Sequence, residues 1–384
     1  MKVLILAILG LELAHTLSYP GTETRPILSK SEASNYTKEN YFAGWQPEEI
    51  IIPENPDYVV QQGQSIQAVV NKAIEQGNPA YRTYIKIEPG RYMETVYIKS
   101  NIPLTIYGSG KSAEDVHIMA TLSAKTSTSD YIATVNPNGE RYKEGEPAWG
   151  LYNSCATKHG GVIGTNCTAV VWVESDNFQL QGVTVHNGAT DAQAVALRTA
   201  ADKIHLMGNN FKSYQDTLAL GIDSADSLKT ERVMVHMCYI EGQIDYVFGA
   251  ASAVFDMTTF YTVATNKTAS AIILAPDTPP ERSYGFLVIN SIITGDSSYR
   301  NKVKLARSWD HGVASADLYT PGVSANGQLV VRDSNIDSVI DVLAPYGAAA
   351  TSHREFTTDI NVDRDLNDNN HNRLWEFNNS GDGA

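Results

Sequence analysis

The chain has three cysteines in 384 residues, enough for one disulfide with one thiol left over. Beyond its first eleven residues it lacks any long uncharged apolar stretch, which excludes a later membrane-spanning helix. Positive charge is also short. The 29 Lys and Arg stand against 43 Asp and Glu, a net −14, which argues against nucleic acid or an anionic membrane as partner. Helical periodicity is scarce. Few strand-like runs are joined by two-residue Asn-Gly or Asp-Gly turns, which weighs against a hairpin-built sandwich. No acidic cluster accompanies the central polar motifs, as a calcium-dependent polysaccharide lyase would need.

What is present begins with MKVLILAILGLELAHTLS, residues 1–18: one Lys, an apolar run, then small and polar residues. That pattern predicts a secretory signal and an extracellular, soluble mature protein. Four glycosylation sequons fit that compartment, at Asn35, Asn166, Asn266 and Asn378. Cys155 and Cys167 bracket CATKHGGVIGTNC and are the expected disulfide in an oxidising environment, stabilising by about 2–3 kcal/mol. Cys238 lies in a strand-like run and is expected to be a buried thiol. The competing reading, a catalytic Cys238 activated by His236, finds no thiolate-stabilising surroundings.

A length of 384 residues exceeds one compact core, so two domains or an elongated repeat is expected. From residue 58 onward, β-rich runs return, each followed by Gly, Asn or Asp. Phe178 aligns with Ile204 and Leu180 with Leu206, each 26 residues on. A period in the twenties predicts an all-β parallel solenoid over 58–340. One amphipathic helix, at 64–75, would cap its open end. An extension, 19–57, precedes it. The tail, 341–384, is expected to pack along the coil as irregular chain anchored by Trp375 and Phe377. A metal site from Asp363, Asp365, Asp368 and His371 competes with a solvated loop there, and no metal or cofactor is expected.

In a parallel coil, matching positions of successive turns stack about 5 Å apart. QAVALR (193–198), QDTL (215–218), DYVFG (245–249) and LARSW (305–309) fall on successive turns, so Gln193, Gln215, Asp216, Asp245 and Arg307 should cluster on one face. These types suit ester hydrolysis. An Asp kept ionised by Arg307 can attack a carbonyl carbon. A second Asp in a drier setting keeps a proton for the leaving alcohol. Gln amides can donate to the oxyanion. A glycoside hydrolase using both acids, a polysaccharide depolymerase on the same fold and a silent carbohydrate-binding protein are the competing readings.

These motifs carry a family resemblance. GRYMETVYI (90–98), QAVALR, QDTL, IDYVFG and LARSW resemble the motifs of pectin methylesterases, carbohydrate esterases built on a right-handed, single-stranded parallel β-helix. The similarity runs from about Tyr58 to about Asp337. LNDNNHNRLWEFNN in the tail is similar to the bacterial branch, which includes outer-membrane lipoproteins. With a eukaryotic-style signal and sequons, digestive enzymes of plant-feeding insects are the natural comparison. The resemblance implies Asp245 as nucleophile, Asp216 as acid then base, Gln193 and Gln215 as anion hole, and Arg307 holding Asp245. Trp309 and Phe248 would pack on galacturonate rings, and Tyr246 would line the cleft. Methyl-esterified homogalacturonan would be the partner, and the enzyme a monomer. Two departures stand out. Ala219 replaces the Tyr that usually follows QDTL, and Ala306 and Ser308 replace the Gly and Pro of LGRPW.

Overall fold

The computed structural model describes residues 20–221, 231–264, 271–361 and 363–384. The expected signal, the sequon at Asn266 and most of the loop 221–231 lie outside the described residues. Elsewhere the strands form three wholly parallel sheets of ten, seven and eight strands. Each sheet is one long face of a β-helix. Leu180 and Leu206, expected one turn apart, are paired directly.

Most β-rich runs of the sequence contain a corner. KIHLMGNNF, for example, holds strands Ile204–Met207 and Asn210–Lys212, which belong to the ten- and eight-stranded sheets. The residue at this corner is left-handed in turn after turn: Gly208, Met237, Met257, Asn290, Asp333 and Asn378 all have positive φ. Just inside the corner, polar side chains form a ladder. Ser291 Oγ accepts from Thr258 N, Ser334 Oγ from Ser291 N, and Asn379 Oδ1 from Ser334 N. Cys238 occupies a rung of it, its thiol turned to the carbonyls of Leu206 and His236. Burial pushes that thiol up to about 12, which is inert sulfur rather than a nucleophile.

Helix Ile66–Gln76 packs against strands Tyr58–Val60, Thr83–Ile87 and Val96–Ser100, close to the bounds that its periodicity predicts. Ser65 caps it by accepting from Ala68 N. The buried Glu94 of GRYMETVYI accepts from Ile66 N and Gln67 N, satisfying donors that a helix N-terminus leaves free. Among the described residues no helix is long and apolar enough to cross a membrane.

The tail departs from expectation. Arg373–Phe377 is a strand, paired in parallel with Gln328–Arg332 at the edge of the ten-stranded sheet. That edge would otherwise expose unpaired backbone, and the alternation in RLWEF suits a strand. Trp375 is buried with Leu28, Tyr36, Tyr41 and Phe42 of the N-terminal segment in a second core on the sheet's outer face. Asp368 pairs with His371 at 2.7 Å, and among the described residues no cluster of metal-ligating side chains occurs.

Candidate active site

The seven-stranded sheet runs in the order 303–306, 271–276, 244–249, 218–220, 197–199, 171–175, 96–100. The polar motifs lie on or just beside its strands. Asp245 sits within Ile244–Gly249, where the pairing with Ala271–Pro276 slips by one residue between Ile244 and Val247. Such a bulge bends the strand and re-aims its extra side chain. Gln215 bridges in parallel to Ile244, so Asp216 stands beside Asp245 on the next turn. Both acids have left-handed backbone, φ 64° at Asp216 and 47° at Asp245, a conformation that costs non-glycine residues energy and collects at functional sites. Gly249 ends the motif at φ 126°, where a Cβ would meet the Leu220 carbonyl oxygen at 1.9 Å. Only glycine fits there.

These turns open onto a cleft of about 460 Å³ lined by Gln193, Gln215, Asp216, Asp245, Phe248, Arg307 and Trp309 among others. All five polar residues singled out in the sequence meet in it. Arg307 grips Asp245 with both arms of its fork, Nε donating to Oδ1 at 2.9 Å and Nη2 to Oδ2 at 2.5 Å. This is the bidentate geometry that fixes a carboxylate in orientation as well as charge. Asp216 has the opposite setting. Burial first, then the charge of Asp245, push its carboxyl well above the usual range, against the pull of Arg307 and of a hydrogen bond from Gln215. A paired carboxylate therefore stands next to a carboxyl that holds its proton more tightly than an ordinary aspartate does, the kind of division of labour that acyl transfer to an Asp can use.

A family model described as Pectinesterase matches residues 151–311. The chain is 43% identical over 392 residues to a pectinesterase of Sitophilus oryzae, with 100% of each sequence covered. The chain belongs to the pectinesterase family. Pectinesterases are carboxylic ester hydrolases, and this chain is one. The structure of rice weevil pectin methyl esterase matches it with a TM-score of 0.90 at 42% identity, covering 96% of this chain and 100% of that one. A putative acyl-CoA thioester hydrolase of Escherichia coli, YbhC, is 37% identical, over 95% of this chain and 90% of its own.

One expected cleft residue of this pectinesterase is not there. Tyr246 follows Asp245 within the bulge, its side chain is fully buried, and its hydroxyl lies 3.4 Å from Thr262 Oγ1. Alternation along the strand sends it inward where Asp245 points out. Phe248 and Trp309 do reach the cleft, with ring centroids 5.8 Å apart. Ala219 is buried and paired with Arg198 and Phe248. The cleft's aromatic surface comes instead from Phe248, Trp309 and His311, the last stacked on the Trp309 indole at 4.2 Å.

Ser308 has a definite task in the altered LARSW motif. Its buried hydroxyl donates to Asp310 Oδ1 at 3.0 Å and accepts from Gly327 N at 2.8 Å. Asp310 in turn is gripped by Arg354, 2.9 Å from Nε to Oδ2 and 3.0 Å from Nη2 to Oδ1. Trp309 Nε1 donates to Thr351 Oγ1 at 3.0 Å. The tail thus builds one wall of the cleft.

The opposite wall is the loop closed by the Cys155–Cys167 disulfide, whose Cα atoms are 5.7 Å apart. It contributes Lys158, Thr165 and Asn166 to the lining. Asn166, a sequon residue, is therefore exposed inside the cleft mouth, whereas Asn35 and Asn378 are exposed elsewhere. Motif spacing does not reveal Lys158, His311 or Thr351, because none lies within the shared motifs and the tail's return to the cleft is a long-range event.

Proposed function

We propose that this pectinesterase is secreted and hydrolyses the C6 methyl ester of homogalacturonan, giving methanol and a free galacturonate, with Asp245 as nucleophile. The observation that carries this reading is the Arg307 fork on Asp245 beside the proton-holding Asp216. An Asp245 oxygen attacks the ester carbonyl carbon. The oxyanion that forms accepts hydrogen bonds from the side-chain amides of Gln193 and Gln215, each donor being worth about 3 kcal/mol in such sites. As the intermediate collapses, the C–O bond to methoxide breaks and Asp216 gives that oxygen its proton.

The product is an anhydride between Asp245 and the galacturonate. Asp216, now charged, takes a proton from water, whose oxygen attacks the galacturonyl carbon. Asp245 leaves as carboxylate and Asp216 is again protonated. Phe248 and Trp309 supply flat faces for the sugar rings on either side. No cofactor enters this scheme.

The YbhC relative keeps a second reading in view, hydrolysis of a thioester by the same acids. Methanol release and chain length measured together on highly methylated pectin, with acyl-CoA assayed in parallel, separate the readings. Methanol without chain shortening supports pectin demethylation. Free thiol with no methanol would replace it with the thioesterase, and new reducing ends with a depolymerase.

A further inference from the structure

His311 lies two residues beyond Trp309 and faces the cleft, yet nothing in the ester-hydrolysis scheme uses it. Its ring stacks on the Trp309 indole with an interplanar angle of 15°. Its Nδ1 is 2.9 Å from Oδ2 of Asp277, which follows strand Ala271–Pro276 directly and is 4% exposed. Among the described residues the other oxygen of Asp277 has no hydrogen-bond partner. Burial pushes the Asp277 carboxyl up, and its hydrogen bond with His311 pulls it back; placed against one ring nitrogen, it fixes the ring's orientation and, when charged, favours the cationic form. The side chain remains 36% exposed. With Nδ1 engaged, Nε2 is the ring nitrogen left for substrate.

The charges around it leave a free carboxylate few other partners. On its own turn, Asp310 is buried and held by Arg354. Behind it, Arg282 is a further cation, whose charge also acts on Asp277. Across the cleft, Arg307 is occupied by Asp245, the Asp216 carboxyl is pushed toward its neutral form by burial, and Lys158 extends to the Ile163 carbonyl at 2.7 Å. The whole chain carries −14, so a polyuronate needs a local cation to settle here.

We propose that His311, set by Asp277 against Trp309, is a specificity residue whose Nε2–H receives the free carboxylate of a galacturonate neighbouring the ester under attack. This rests on the pectin reading above. A neutral imidazole with its proton on Nδ1 offers Nε2 as an acceptor only, so the preference belongs to the cation. Asp277 raises the His311 titration above its ordinary value through their hydrogen bond. The preference should fade as pH rises through that raised value.

The test uses two oligogalacturonides of equal length, one fully methyl-esterified and one with a single free carboxylate beside the scored ester. With the wild-type enzyme at low pH, kcat/KM should favour the second by about tenfold, the size of a charge-assisted hydrogen bond. His311→Gln should bring the ratio close to one, and His311→Lys, which restores a cation, should recover much of it. A wild-type ratio of one at every pH, or a His311→Gln ratio equal to wild type, overturns the inference alone. Absence of methanol from both substrates overturns the pectin reading with it.

Discussion

Asp216 and Asp245 occupy neighbouring turns of one sheet and share a left-handed backbone, φ 64° and 47°. Two strained acids side by side, one gripped by Arg307 and the other desolvated, are held that way by the stacked strands around them. Left-handed backbone recurs at the corners of the coil, at Met237, Met257 and Asn290 among others, and on this sheet it falls on the two residues that the proposed chemistry uses.

If Asp245 is the nucleophile, Asp245→Asn should lower methanol release by at least about 10³-fold, as loss of a covalent nucleophile does. The amide fits the same space, so the melting temperature should stay within a few degrees. Methanol release near the wild-type rate would remove Asp245 from the role.

Asp216 ties activity to stability through pH. The folded chain holds this proton more tightly than the unfolded chain does, so the carboxyl contributes its full share of stability below its ordinary value of 3.8 and loses it as pH rises toward the folded-state value. Asp216→Asn cannot ionise. It should melt higher than wild type at pH 8 and closer to wild type at pH 4, while methanol release falls about 10²- to 10⁴-fold. Thermal scans at the two pH values decide this, and an equal difference at both would refute it.

Ser308→Ala should cost about 1–3 kcal/mol, since it strips a buried hydrogen-bond partner from both Asp310 and Gly327 N. The loss would be felt at Trp309, so KM on pectin should rise more than kcat falls. Denaturant unfolding with steady-state kinetics checks both, and a variant as stable as wild type would show that the Ser308 link is dispensable.

Asn166 lines the cleft, and a glycan there would stand in the path of a polymer. Active enzyme is expected to carry that Asn bare, while Asn35, exposed on the N-terminal segment, is open to modification. Glycopeptide mass spectrometry of active material is the check. Full occupancy at Asn166 in fully active enzyme would mean that substrate enters from another side.

Much of this was legible in the chain. The 26-residue spacing of Leu180 and Leu206 reappears as a direct strand pair, because a parallel solenoid turns sequence period into spatial register. The five polar cleft residues met for the same reason. What could not be read came from one-residue events and from distant returns. A bulge at Asp245 and strand alternation together buried Tyr246, and no periodicity announces a single extra residue. The LWEF segment looked like an irregular anchor because its pairing partner lies 45 positions earlier, Leu329 against Leu374. His311 and Asp277 were invisible as a pair, being 34 residues apart and outside any shared motif.

The wall that holds Trp309 comes from residues around Thr351 and Arg354, late in the chain. A ribosome would have delivered both acids, both glutamines and the arginine well before that wall exists. The nascent coil can stack turn upon turn with its chemistry in place and still lack a finished groove. Catalytic competence would then be among the last properties this chain acquires, and a product truncated near residue 345 should fold in large part yet grip its polymer poorly.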